Sequence, residues 1–142
     1  MKSYLFTAVW GIIVWLLATL FFRFFGEKIL FSPRSNEFFF SIIILLIVTA
    51  ALLIGVIYLY LIFDKSNNAA LKFGIIGTII GLMLDTFSLS NHYLVFPALD
   101  DAQIIAFTTW MSFAYALYLL IPFLFSKKRI IKEKEFHSTF SN

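Results

Sequence analysis

Long uninterrupted apolar runs dominate this chain, and neither a strand-like alternation nor a one-sided helical stripe competes with them. Four runs stand out: Tyr4 to Phe22, Phe38 to Phe63, Phe73 to about Leu89, and Ile104 to Phe125. A helix rising 1.5 Å per residue needs roughly 20 apolar residues to cross a hydrocarbon core of about 30 Å. The pattern therefore predicts an all-α protein, a four-transmembrane-helix bundle with spans at about 4–22, 38–63, 70–91 and 103–125. Residues 1–125 form the membrane domain and residues 126–142 a basic tail. The second run is longer than a span requires, so it tilts or projects into water. The third turns polar early. Ending it inside lipid would strand backbone groups, so its helix is expected to continue through Thr86, Ser88, Asn91 and His92, shielded by neighbouring helices.

The connections carry their own signals. Asp64-Lys65-Ser66-Asn67-Asn68 reads as a short polar turn with Asn68 as N-cap of the third helix. Asp100 followed by Gln103 is a capping-box pattern, with Leu99 and Ile104 as its hydrophobic staple. The first loop, Phe24 to Glu37, is partly apolar and is expected in the interface, ending at Pro33 and the Ser35-Asn36 pair. Pro122 reads as a kink or a helix end. The first apolar run is too long for the core of a signal peptide and no A-x-A site follows it, so it is expected to be a retained helix.

Composition sharpens the picture. The chain has 142 residues, of which 61% are hydrophobic and 13% charged. A soluble domain carries about 25% charged residues, so this chain has too few to face water on all sides. It lacks cysteine, which removes disulfides and thiolate metal sites. Two histidines, His92 and His137, are a poor basis for a haem held within the membrane. No cofactor and no metal site is expected.

Charge sets orientation through lysine and arginine. With four spans, one side holds Lys2, Lys65, Lys72, Lys127, Lys128, Arg129, Lys132 and Lys134, and the other holds Arg23, Lys28 and Arg34. Both termini are therefore expected in the cytoplasm, with the chain a multi-pass protein of the cell (plasma) membrane. The basic tail suits anionic lipid headgroups at about 1 kcal/mol per charge, and nucleic acid adds nothing to that explanation. A homo-oligomer or a membrane-protein partner stays open.

Asp85 is the ionisable residue deepest in a span. It lies 13 residues after Lys72, about 20 Å along the helix and past the midplane. A carboxylate there costs roughly 2.5–3.5 kcal/mol unless it is paired, protonated or wetted. Its natural partner is Arg23, near the end of the first span, across a depth gap of roughly 8–9 Å. The alternative is an arginine that anchors among headgroups. Gly74, Gly77 and Gly81 make a small-residue face for close helix packing. Asp85, Ser88 and His92 continue the face of Gly77 and Gly81. Thr108, Ser112 and Tyr115 form a polar stripe on the fourth helix that is placed to meet Asp85. Trp10, Trp15 and Trp110 read as packing residues or belt anchors. No hydrolase, metalloprotease or phosphate-loop motif is present, and no enzymatic activity is expected.

Phe21-Phe22-Arg23-Phe24-Phe25-Gly26, Leu84-Asp85, Val95-Phe96-Pro97, Phe107-Thr108-Thr109-Trp110 and Tyr115-Ala116-Leu117 resemble an uncharacterised family of small bacterial four-helix integral membrane proteins. The resemblance spans most of the chain. It implies the four-helix architecture and draws attention to Arg23 and Asp85, and it brings no chemistry. Two functional expectations follow. One is a structural or accessory membrane component. The other is a small carrier or proton-coupled channel using Asp85.

Overall fold

The computed structural model describes residues 2–140; the side chains of Lys2, His137, Thr139 and Phe140 lie outside the described set. The helices are α1 (Lys2–Ile29), α2 (Glu37–Phe63), α3 (Ala69–Ser90), the single turn α4 (His92–Val95) and α5 (Asp101–Phe140). No strand occurs among the described residues. Four of the helices are long and apolar enough to cross a membrane. Their outward faces carry large apolar side chains, such as Leu5, Phe39, Phe40, Ile47 and Leu52, each more than 60% exposed. Apolar surface on that scale needs a non-aqueous surrounding.

The chain passes up, down, up and down, so α1 and α3 run parallel and α5 opposes both. α3 is the most enclosed of the four and packs against α1 and α5, while α2 rests mainly on α5. Glycine makes the enclosure possible. A Cβ on Gly11 would lie 3.1 Å from the Cα of Gly77, so α1 and α3 cross there almost backbone to backbone. A Cβ on Gly74 would lie 2.9 Å from the carbonyl oxygen of Tyr118 and from Cγ of Pro122. Pro122 is fully buried inside α5 rather than at its end. Its missing N–H frees the Tyr118 carbonyl one turn earlier, and Gly74 packs onto that spot.

Two apolar clusters close the ends of the bundle. One gathers Phe22, Leu30, Phe38, Phe96, Leu99 and Trp110; the other gathers Leu53, Ile57, Tyr60, Phe73, Tyr118 and Ile121. Aromatic contacts knit each cluster, including Phe22 against Trp110 at 4.3 Å and Phe73 against Tyr118 at 5.2 Å between centroids.

Several boundaries differ from the sequence expectation. α1 runs on to Ile29 instead of ending near Phe22, because its last turn has partners. Leu30 is buried, and the Gln103 side-chain amide donates to the carbonyls of Glu27 (3.0 Å) and Leu30 (2.9 Å). The third helix stops at Ser90 rather than passing through His92. Asn91 breaks it, with its backbone N–H turning back to Phe87 O and its side-chain amide donating to the same carbonyl at 2.9 Å. From Ser126 to Phe140 the tail is a helical continuation of α5. Asn68 precedes α3 but makes no side-chain cap. The capping box forms as expected: Gln103 N–H donates to Asp100 Oδ1 at 2.7 Å, and Asp100 N–H to Gln103 Oε1 at 3.2 Å.

Candidate functional site

On α3 the residues Gly77, Gly81, Asp85 and Ser88 follow at spacings of four, four and three, and all are buried. That face points at α1 and α5, so Asp85 is drawn into the bundle, where it is 5% exposed. Its Oδ1 accepts from Trp15 Nε1 on α1 at 2.8 Å and from Ser88 Oγ at 3.4 Å. Its Oδ2 accepts from the hydroxyl of Tyr115 on α5. Ser88 Oγ also reaches the Asp85 carbonyl at 3.2 Å. Three neutral donors thus solvate the carboxylate and tie α1, α3 and α5 together. Among the described residues no lysine, arginine or histidine forms an ion pair with it. Neutral donors satisfy the carboxylate oxygens without supplying an opposite charge.

The expected Arg23 partner is elsewhere. Arg23 donates through one guanidinium nitrogen to the carbonyls of Leu94 (2.9 Å) and Val95 (2.7 Å). The break at Asn91 creates that acceptor, because the short α4 ends in free carbonyls at the depth of Arg23 and a cation suits a helix C-terminus. His92, which the spacing put on the Asp85 face, begins α4 instead. Its Nδ1 lies 3.0 Å from Leu89 O, and its ring lies against Tyr93.

The polar stripe on α5 divides. Tyr115 reaches Asp85, but Thr108 and Ser112 bond their own helix at Ile105 O (2.8 Å) and Thr108 O (2.9 Å). The inner face of α5 is centred on Phe107, Trp110, Ala114 and Tyr118, so the stripe lies at its margin. Only the long phenol crosses from there to α3. The glycines make room for it: a Cβ on Gly81 would lie 2.5 Å from the Tyr115 hydroxyl, and one on Gly77 would lie 2.5 Å from that of Tyr118.

Beside Asp85 lies a cavity of about 420 Å³, walled by all four long helices and lined mostly by apolar groups, with Asp85, Tyr115 and Tyr118 on one wall. The Tyr118 hydroxyl is buried and has no hydrogen-bond partner among the described residues. Trp110 also borders the cavity and donates its Nε1–H to Thr49 Oγ1 at 3.0 Å.

A second polar knot forms where α1, α2 and α3 meet near their Ser3, Asp64 and Lys72 ends. Lys72 Nζ pairs with Asp64 and lies 2.5 Å from Ser3 Oγ, while the Tyr60 hydroxyl lies 2.7 Å from both Asp64 Oδ2 and Thr7 Oγ1. Burial alone would raise the Asp64 carboxyl. Hydrogen bonds from Lys72, Tyr60 and Ser66 outweigh it and hold the group well below the usual carboxylate range.

Sequence reasoning missed Trp15, Tyr118 and this second knot. One signal was present. Trp15 is 13 residues after Lys2 and Asp85 is 13 after Lys72, so on parallel helices that start at one surface they share a depth. An indole N–H buried at that depth needs an acceptor.

Residues 30–129, more than half of the chain, match a family of unknown function, DUF5367. The chain belongs to the DUF5367 family. It is also 45% identical over 101 residues to the uncharacterized protein YnzE of Bacillus subtilis (strain 168), across 71% of this chain and all of that relative. No solved structure matches. The DUF5367 match takes in α2 to α5 as far as Arg129, including Asp85, Ser88, Tyr115 and Tyr118. Trp15 and Arg23, on α1, precede the matched residues.

Proposed function

We propose that this DUF5367 member is a small binding protein or carrier of the plasma membrane, centred on Asp85, and that it is not an enzyme. The observation that carries this reading is a buried carboxylate with no cationic partner among the described residues, set in the wall of a cavity between the helices. An intramembrane ionisable group of this kind marks a ligand or ion site by default. Among the described residues no imidazole is brought to Ser88. Ser88 bonds only within its own helix turn, and His92 is bonded to Leu89 O.

The bias of lysine and arginine supports cytoplasmic termini, and a reporter fused after Asn142 reads that orientation. The exposed cluster from Lys127 to Lys134 on the extension of α5 supports contact with anionic headgroups.

A structural or accessory role is the second reading. It draws support from the same carboxylate, because Trp15, Asp85 and Tyr115 link three helices. Chemical access separates the two. The chain has no cysteine, so Asp85→Cys introduces a unique thiol. A binding site open to water and solutes predicts alkylation of that thiol by a maleimide in native membranes, well above the rate at Ser88→Cys. A thiol at position 85 that stays inert while the protein remains folded favours the accessory role and removes the carrier.

A further inference from the structure

The cavity has an asymmetric wall. α1 and α2 meet near one end through Thr7 and Tyr60, whose hydroxyls are 2.7 Å apart, and near the other through Ser41 Oγ, which donates to Ile29 O at 2.5 Å. Between those contacts, Leu17 and Phe21 of α1 and Val48 and Leu52 of α2 line the cavity while also being exposed on the outer surface. The cavity therefore opens sideways, towards lipid.

Inside, two polar groups face the cavity. Asp85 brings a carboxylate held by three neutral donors and by no cation, and Tyr118 brings a buried hydroxyl without a hydrogen-bond partner among the described residues. The glycines bring them to one stretch of wall. The Tyr115 hydroxyl, which holds Asp85, sits over Gly81, and the Tyr118 hydroxyl sits over Gly77, four residues or about 6 Å earlier along α3. An ammonium entering there meets a negative charge and a second oxygen able to accept an N–H.

We infer that this cavity takes a lipophilic amine, a protonated primary or secondary ammonium on an apolar body, which enters from the bilayer between α1 and α2. The inference rests on the binding reading above and names its ligand class. A bare metal ion is disfavoured because hard cations seek six or more oxygens, and this wall offers few. An anion meets a carboxylate. A quaternary ammonium has no N–H for Tyr118. The volume of about 420 Å³ lies within the range of small-molecule sites, and the rings of Trp110 and Phe22 add faces that attract a cation.

The test uses the full chain in nanodiscs of zwitterionic lipid and a bromine-tipped dodecylamine that quenches the fluorescence of Trp15 and Trp110. The inference predicts saturable quenching, competed by dodecylammonium and not by dodecanoate. Apparent affinity falls at least about tenfold in Asp85→Asn, as loss of a charged hydrogen bond requires, and severalfold in Tyr118→Phe, a variant that adds no bulk. Equal affinity in wild type, Asp85→Asn and Tyr118→Phe, or equal competition by the carboxylate, overturns it. If the thiol of Asp85→Cys is still alkylated in that case, only the ligand class is wrong. If that thiol is inert as well, the binding reading falls with it.

Discussion

Asp85, Arg23 and Asp64 illustrate what single residues reveal. Asp85 was legible as the costly group in a span, because hydropathy and depth alone make a buried carboxylate stand out. Its partners were not. Arg23 is the only cation within plausible reach by depth, yet it is taken by the carbonyls of Leu94 and Val95. Those acceptors exist only because the chain breaks at Asn91, whose side-chain amide turns back onto Phe87 O. Asp64 looked like an ordinary turn residue and is instead held in a knot with Lys72 and Tyr60. Its carboxyl lies below the usual range once folded. A depressed folded pKa gives stability that is present above the unfolded value of about 3.9 and is lost as pH falls through the folded one. Melting in detergent should therefore show Asp64→Asn less stable than wild type by about 2 kcal/mol at neutral pH. That gap should narrow steadily below about pH 4. A gap that stays constant across the acid range would mean that the Asp64 charge contributes nothing.

Among the elements, the start of α5 was the most readable, since a capping box is a local pattern with local consequences. The ends of α1 and α3 were misjudged for one shared reason. Gln103, Leu30 and Asn91 decide them through contacts far along the chain or through side-chain bonds back to the helix. The glycine face of α3 was visible as spacing, but what it faces was not. Tyr118 and Pro122 of α5 fill it, and Gly11 of α1 meets it from the other side. Gly74→Ala should cost about 1–3 kcal/mol, because its new methyl meets a backbone carbonyl that cannot rotate away. Gly55→Ala has nothing within 4 Å and should be neutral or slightly stabilising through helix propensity. Thermal denaturation of the two variants side by side checks the contrast, and equal losses would place the tight interface on the wrong helix.

For the molecule as a whole, the number of helices and their apolar character were written in the runs themselves, whereas the arrangement around Asp85 depended on which neighbour each face met. Parallel α1 and α3 bring Trp15 level with Asp85, antiparallel α5 brings Tyr115 across, and α2 stands far enough from α1 to leave the cavity open. The central claim is that neutral donors from α1 and α5, and not Arg23, hold the carboxylate. A double-mutant cycle on stability measures that directly, since only groups in contact couple beyond about 0.5 kcal/mol. Asp85→Ala combined with Tyr115→Phe should give a coupling of about 1–2 kcal/mol, and Asp85→Ala combined with Arg23→Gln should be additive. A strong coupling to Arg23 with none to Tyr115 would contradict this account.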